Sequence, residues 1–125
     1  MINKIDKKYK EYFDQIFCLE VSEYLYDPMI AFKNIAHLLK KGGLLYLSTH
    51  FIYPVHSPIE DDCLRYTRQG ITKILDKCGF EIVELKERDT TGINMIHFYL
   101  GQGMRPGKTY KHHQEIGHLV VARKI

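Results

Sequence analysis

The sequence predicts an α/β protein, in which a mostly parallel sheet of about four strands, with an antiparallel last strand, packs against helices. Two observations lead to this fold class. Short apolar runs, typical of buried strands, alternate along the chain with stretches in which apolar residues recur every three or four positions, as in helices. The links between them are mostly short, which is typical of strand-helix-strand units. With 125 residues, 45% of them hydrophobic, residues 1–125 form a single predicted domain with one core.

The first predicted strand is the apolar run Phe13–Leu19. It is compact and short, which fits a strand that is buried on both faces. In residues 2–13 apolar side chains recur at three- and four-residue steps. A short amphipathic helix is therefore predicted ahead of this strand.

A second helix is predicted from Asp27 and Pro28, which supply an N-cap and a first-turn proline. Its apolar positions follow at helical spacing and are Ile30, Ala31, Ile35, Leu38 and Leu39. We expect it to stop at Gly42-Gly43, because glycine adopts the left-handed conformation that closes a helix. Residues 44–48 then form a second buried strand.

The remaining elements follow in the same alternation. Residues 49–63 contain two prolines and several turn formers, so they are predicted to be a loop. Thr67 caps a helix that ends before Gly79. Residues 80–85 alternate apolar and acidic side chains, as expected of a strand near an edge of the sheet. Residues 118–123 form the last strand, which we expect to pair antiparallel with the strand at residues 80–85.

Composition limits the classes of function. The 18 basic residues are interleaved with 15 acidic ones, for a net charge of +3, so nucleic acid is not a favoured partner. Apolar stretches are too short for a membrane span or a secretory signal, which predicts a cytoplasmic protein with no membrane partner. Cys18, Cys63 and Cys78 are widely spaced, which fits reduced and mostly buried thiols.

Three segments resemble the class I S-adenosylmethionine-dependent methyltransferases. Residues 13–25 (FDQIFCLEVSEYL) resemble the family's fourth strand and the Glu-His turn after it, with Tyr24 where histidine is usual. Residues 38–48 (LLKKGGLLYLS) are similar to the Leu-Lys-Pro-Gly-Gly turn into the fifth strand, with Lys41 in place of proline. Residues 62–67 (DCLRYT) are similar to the Asp-Tyr-Trp-Arg-Phe-Thr element of one branch.

The resemblance implies the C-terminal half of a Rossmann-like methyltransferase fold. In the family, the cofactor lies against a glycine-rich turn after the first strand, yet the residues before Phe13 contain no glycine. S-adenosylmethionine is thus implied as cofactor only where the missing half is supplied, and activity of the chain alone is not expected. The resemblance places Leu19, Glu20 and Val21 beside that cofactor.

Ligands of open α/β sheets bind beyond the carboxyl ends of the strands, so the residues after the first two strands should share a crevice. His50 and His56 are candidate catalytic bases for an acceptor hydroxyl or amine. Each of them could equally be a structural histidine in a loop, hydrogen-bonded to the backbone. Substrate contacts are predicted for Glu23, Tyr24, Tyr53, Asp62 and Arg65.

Several of these residues have a structural alternative. Asp62 and Arg65 are spaced for an ion pair, which either braces the loop or leaves the guanidinium to bind a phosphate or carboxylate of the acceptor. Residues 112–118 contain three histidines, but their spacing favours a polar turn, and no metal site is assigned. Residues 88–116, with a possible short helix at 93–100, are interpreted as a specificity element or a domain-swapped arm.

Two functional hypotheses of different classes follow. The first is a methyltransferase acting on a small-molecule or sugar-type acceptor, completed by a second copy or a complementing subunit. The partner would cover the edge of the Phe13–Leu19 strand, since a bare edge and apolar face need a cover. The alternative is a non-catalytic remnant that serves as an interaction or dimerisation module. A fragment of a longer reading frame is a third interpretation, and the methyl acceptor is not identified by the sequence.

Overall fold

The computed structural model describes residues 5–88 and 115–125. In these residues a four-stranded sheet contains β1 (Phe13–Cys18), β2 (Leu39–His50), β3 (Phe80–Arg88) and β4 (Gly117–Lys124). Two helices, α1 (Pro28–Leu38) and α2 (Arg68–Lys77), and two 3-10 turns, Lys7–Tyr9 and Ser22–Tyr24, complete the secondary structure of this part of the chain.

The strand order is β1-β2-β4-β3. β1 runs parallel to β2, whereas β4 runs antiparallel to both of its neighbours, β2 and β3. β1, β2 and β3 therefore share one direction, and the last strand is inserted between two of them. The predicted fold class, a mostly parallel sheet with an antiparallel last strand, is confirmed.

Side-chain caps explain where the helices begin. The Asp27 carboxylate accepts a hydrogen bond of 3.1 Å from the backbone N–H of Ile30, and the Thr67 hydroxyl accepts one of 3.0 Å from that of Gly70. Each cap is worth about 1 kcal/mol. α2 is followed by Gly79 at φ +88°, as the sequence predicts.

The predicted end of the first long helix is wrong. α1 ends at Leu38, and Gly42, at φ +81°, lies inside β2. Leu39 pairs with Phe13 and Leu44 with Gln15, so β2 takes five steps where β1 takes two. The glycine allows the left-handed backbone of this bulge instead of closing the helix.

The predicted amphipathic helix at the start of the chain is also not found in residues 5–13. Only the 3-10 turn Lys7–Tyr9 forms there. The backbone N–H groups of Glu11 and Tyr12 instead donate to the carbonyl oxygens of His37 and Leu38. These hydrogen bonds to the last carbonyl groups of α1 fix the backbone directly before β1.

The hydrophobic core lies between the sheet and the two helices, which cover the same face. Its fully buried apolar side chains are Phe32, Leu39, Leu45, Leu47, Ile71, Leu75, Phe80, Val120 and Ala122. Burial of each larger side chain stabilises the fold by roughly 1.5–3 kcal/mol. Cys18 and Cys78 are buried, as predicted, but Cys63 is exposed because it lies in the loop before α2.

The prediction that the first strand is buried on both faces is wrong for the described residues. β1 is an edge strand there, and Phe17 is 62% exposed. Phe17 stacks on Tyr46, and these rings lie with Leu119 on the sheet face opposite the helices. We call this surface, lined by Phe17, Leu19, Tyr46, Leu119 and Val121, the open face. A strand is buried on both faces only when other elements pack against both faces of its sheet. An apolar run in the sequence does not show whether those elements are present.

Candidate functional site at the strand ends

The carboxyl ends of β1 and β2 are held together by two serines. Ser48 Oγ accepts a 2.7 Å hydrogen bond from the backbone N–H of Glu20 and donates one of 2.9 Å to the Glu20 carboxylate. Ser22 Oγ donates to the Ser48 carbonyl oxygen over 2.8 Å. Glu20 itself has φ +55°, in the left-handed region. The chain therefore turns sharply after β1 and brings the next residues over the end of β2.

Glu23, His50 and His56 meet at this point. His50 Nε2 lies 3.2 Å and His56 Nε2 3.3 Å from Glu23 Oε1. Glu23 is fully buried and His50 is 2% exposed, whereas the His56 side chain is 31% exposed. We call these three residues the Glu-His-His cluster. The sequence predicts that these residues lie at the same sheet edge, and the structure places them there.

Four buried polar atoms of the cluster have no hydrogen-bond partner in the described part of the chain. They are Glu23 Oε1, Glu23 Oε2, His50 Nδ1 and His56 Nε2. Both imidazoles approach Glu23 Oε1 closely, yet neither donates a hydrogen bond to it. Unsatisfied buried polar groups are rare in folded proteins and are a feature of functional sites.

Tyr24 fixes the orientation of His56. The Tyr24 hydroxyl donates to the carbonyl oxygen of Ser57 over 3.0 Å and lies 3.0 Å from His56 Nδ1. Because the single hydroxyl hydrogen is used by Ser57, the phenol oxygen accepts from Nδ1–H. The neutral His56 ring therefore carries its proton on Nδ1 and directs the lone pair of Nε2 into the cluster.

Asp62 and Arg65 form the ion pair that their spacing predicts. Arg65 NH1 and NH2 contact the two carboxylate oxygens over 2.5 and 2.7 Å. This bidentate contact, assisted by the backbone N–H of His56, holds the pKa of Asp62 far below its usual range. Arg65 also donates to the carbonyl oxygens of Tyr53 and Pro54. These contacts favour a brace for the loop over a direct role in substrate binding.

Tyr53 forms one wall of the site. Its ring stacks on His50 with centroids 4.3 Å apart, and 39% of the residue is exposed. It thus offers an aromatic surface to a bound molecule. Burial lowers the pKa of His50, while the nearby Glu23 and Glu20 carboxylates act in the opposite direction. Burial dominates, so the ring is held in its neutral form.

The residues expected beside a cofactor lie directly after β1. Leu19 and Val21 are about half exposed. The Glu20 carboxylate is committed to Ser48, to His50 Nε2 at 3.1 Å and to Arg88 NH1 at 2.9 Å. Leu19 and Val21 thus expose apolar surface directly after β1. The described residues contain no glycine-rich turn beside it.

Sequence reasoning did not identify Arg88 or the buried pair of Thr49 and His118. Arg88 ends β3, which extends three residues beyond the predicted strand, and reaches Glu20 and the Thr49 carbonyl oxygen. His118 lies 3.1 Å from Thr49 Oγ1 and 3.2 Å from Glu115 Oε1. A strand prediction carried through Lys86, Glu87 and Arg88 would have found the arginine. The predicted helix at 93–100 and the other two histidines of residues 112–118 lie outside the described residues.

A mostly parallel sheet with polar residues gathered at its carboxyl edge defines a class of α/β proteins that bind ligands there. A family model described as a methyltransferase domain matches residues 2–85. The chain belongs to this methyltransferase family. No curated protein matches the chain.

Solved structures support the fold at low sequence identity. An S-adenosylmethionine-dependent methyltransferase from Methanosarcina mazei aligns with a TM-score of 0.63 and 14% identity, over 94% of this chain and 61% of that one. One from Mesorhizobium loti gives 0.61 and 19%, over 92% and 63%. A Haloferax volcanii methyltransferase complex with the Trm112 activator gives 0.59 and 18%, over 92% and 55%. The chain thus spans less than two thirds of these neighbours.

No helix among the described residues is both long and apolar enough to cross a membrane.

Proposed function

We propose that this chain provides the acceptor-binding half of an S-adenosylmethionine-dependent methyltransferase domain. The observation that carries the proposal is the Glu-His-His cluster at the carboxyl edge of a family sheet, next to the exposed apolar residues Leu19 and Val21. S-adenosylmethionine supplies an electrophilic methyl group when bound. The residues of this chain fit one side of that cofactor, so a second half must supply the other.

The acceptor that we propose is a small molecule or a sugar-type compound with a hydroxyl or amine group. Tyr53 offers it a stacking surface, and His56 is the better placed of the two histidines to take its proton because part of its ring is exposed. His50 is nearly inaccessible and orients the cluster. A cytoplasmic location remains a prediction.

The second half is proposed to be a second copy or a complementing subunit paired with β1. In the described residues the outer edge of β1 has no partner strand, and the open face presents the stacked rings of Phe17 and Tyr46 to solvent. Exposed edges and apolar faces of this kind are covered in stable assemblies. One structural neighbour, from Haloferax volcanii, is a complex between a methyltransferase and the Trm112 methyltransferase activator, which offers a precedent for such a pairing.

Light scattering with and without Phe17→Glu tests the pairing. We expect the wild-type chain to form a dimer at micromolar concentration or to bind a co-purifying subunit. Phe17→Glu should abolish the association, because a charge cannot be buried at the open face. Tyr26→Glu, a change at another exposed aromatic residue, is the matched control and should leave it intact. A wild-type chain that is monomeric and captures no subunit contradicts the pairing.

Titration calorimetry with S-adenosylhomocysteine, the demethylated product, tests the activity class. Binding to the assembled form supports a methyltransferase. If the assembled form does not bind it, the alternative holds, and the chain is a non-catalytic interaction module. Inspection of the DNA upstream of Met1 for a glycine-rich strand-turn-helix tests whether the other half is encoded in the same reading frame.

A further inference from the structure

We infer that Glu23, His50 and His56 bind a divalent transition-metal ion, and that zinc fits the site best. The inference concerns the chain itself and does not require that it transfers methyl groups. No metal site is predicted from the sequence, in which the only candidate is the histidine-rich segment 112–118. The residues of the Glu-His-His cluster come from separate parts of the chain, so no local sequence motif predicts the cluster.

The separations between Glu23 and the two imidazole nitrogens match those of ligands around a tetrahedral ion. One ligand atom from each of the three residues lies within 4.8 Å of the other two. The two imidazole nitrogens are 3.2 and 3.3 Å from Glu23 Oε1. Zinc binds nitrogen and oxygen ligands at about 2.0–2.2 Å, and neighbouring ligands of a tetrahedron are then roughly 3.3–3.6 Å apart. Two of the three separations in the cluster therefore already suit the ion.

The hydrogen bonding of the cluster points to a missing positive charge. Both oxygens of the fully buried Glu23 lack a hydrogen-bond donor in the described residues. Burial of a carboxylate without a donor or a cation is strongly unfavourable. The nitrogens come close without the alignment of an N–H···O bond, as they would if their lone pairs were directed at an ion between them.

The orientation of His56 independently supports this inference. The Tyr24 hydroxyl oxygen accepts a hydrogen bond from Nδ1–H, so the neutral tautomer of the ring has a lone pair at Nε2. That lone pair lies close to two carboxylates, Glu23 at 3.3 Å and Asp62 at 3.7 Å. Two electron-rich groups face each other stably only with a metal cation or a proton between them, and the two cases are separated by the titration below. Metal-binding histidines are commonly fixed in this way by a partner on the other ring nitrogen.

The surrounding charges leave Glu23 as the anionic ligand. Glu20 is paired with Arg88 and Ser48, although one of its oxygens also lies 3.1 Å from His50 Nε2. Asp62 is paired with Arg65. Two neutral imidazoles and one carboxylate are a donor set that suits zinc better than magnesium or calcium, which prefer oxygen ligands. With three protein ligands, a fourth position stays open, as in catalytic zinc sites. An oxygen of water or of the acceptor would occupy it.

The role of the two histidines changes when the ion is present. As ligands, they would hold the ion against an acceptor oxygen instead of taking its proton directly. A bound cation lowers the pKa of a hydroxyl group that it contacts, which makes the oxygen a better nucleophile. This consequence rests on the proposed function, whereas binding of the ion does not.

Titration of the metal-free full chain with Zn²⁺, in competition with a chromophoric chelator, tests the inference. We expect one equivalent to bind per chain. Co²⁺ in its place should give the intense visible absorption of a tetrahedral ion. Glu23→Gln and His56→Asn should each weaken Zn²⁺ binding by about 100-fold or more, since loss of even an indirect partner costs 10–100-fold. Tyr24→Phe removes the hydroxyl that contacts Nδ1 but leaves the Ser57 carbonyl oxygen 3.3 Å from it, so it should cost at most about tenfold.

Two controls separate this site from other histidines. His37→Asn changes an exposed residue on α1, and the double variant His112→Asn/His113→Asn removes the adjacent pair in the segment before β4. Both should bind Zn²⁺ like the wild type. Circular dichroism of each variant verifies that it is folded. No stoichiometric binding to the wild type, or binding that the double variant abolishes and folded His56→Asn retains, would overturn the inference. The cluster would then be an imidazolium-carboxylate pair only.

Discussion

Two buried histidines start from neighbouring positions of the sheet and end in different environments. His50 is the last residue of β2, and His118 pairs across the ladder with Thr49, the residue before it. The nitrogens of His118 lie within hydrogen-bonding distance of Thr49 Oγ1 and Glu115 Oε1. The Glu-His-His cluster around His50 instead contains four unpartnered buried atoms within the described residues. His118 and His50 are thus equally buried but differ in role. His118 stabilises the fold through its two contacts, whereas the cluster around His50 has polar atoms available to a ligand.

The largest expected effect is on stability, from His118→Ala. The variant removes two buried polar contacts and leaves a cavity, so we expect the free energy of unfolding to fall by about 3 kcal/mol. Urea unfolding followed by circular dichroism measures it. Binding of Zn²⁺ to the folded fraction should be unchanged. A loss below about 1 kcal/mol would mean that the contacts of His118 with Thr49 and Glu115 do not stabilise the fold as proposed.

The pH dependence of the free energy of unfolding tests the environment of these two histidines. Burial lowers the pKa of His118 below 6.5, although its hydrogen bond with Glu115 acts in the opposite direction. The unfolded chain then binds more protons than the folded chain, so the free energy of unfolding should fall as the pH drops below about 6.5. The slope is at most about 1.4 kcal/mol per pH unit for one group. His50, whose pKa is also lowered, adds to it.

His118→Gln should flatten this slope between pH 7 and 5, and His50→Gln provides the matched comparison. Asp62 titrates well below this window because its pKa is lowered as well. If His118→Gln leaves the slope unchanged, the pKa of His118 is the same in the folded and unfolded chains, and the comparison fails.

The smallest expected effect has the opposite sign. Glu23→Gln removes a buried charge that lacks a partner in the described residues, so we expect the metal-free variant to be more stable by about 1 kcal/mol. Addition of Zn²⁺ should reverse the order, because the variant binds it about 100-fold more weakly or worse than the wild type. Thermal unfolding with chelator and with Zn²⁺ compares the two conditions. A variant that is less stable with chelator would show that Glu23 is already satisfied.

The fold was largely predictable from the sequence because its signals are local. Asp27, Thr67 and Gly79 mark helix ends through their own backbone chemistry. Gly42 misled the prediction because a left-handed glycine serves a strand bulge as well as a helix end. The exposure of Phe17 was not predictable, since it depends on what covers the sheet.

The candidate site was predictable only in part. The rule that ligands bind at the carboxyl edge correctly gathers Glu23, His50 and His56. Their convergence depends on side-chain directions set by distant contacts, such as the backbone bonds of Cys63 and Leu64 to the Glu23 carbonyl oxygen. Those contacts have no local sequence pattern, and the geometry of the cluster was therefore not foreseen.

One backbone pairing has a consequence for how this protein can diversify. The N–H of Ile116 donates to the carbonyl oxygen of Arg88 over 3.1 Å, and the Ile116 carbonyl oxygen accepts from Phe51 over 2.8 Å. Arg88 and Ile116, which flank residues 89–114 in the sequence, are therefore held side by side. Doubling the length of a segment whose flanks are joined in this way costs only about 0.6 kcal/mol of closure entropy. The number of residues between Arg88 and Ile116 can therefore change at little cost to the pairing of β3 with β4.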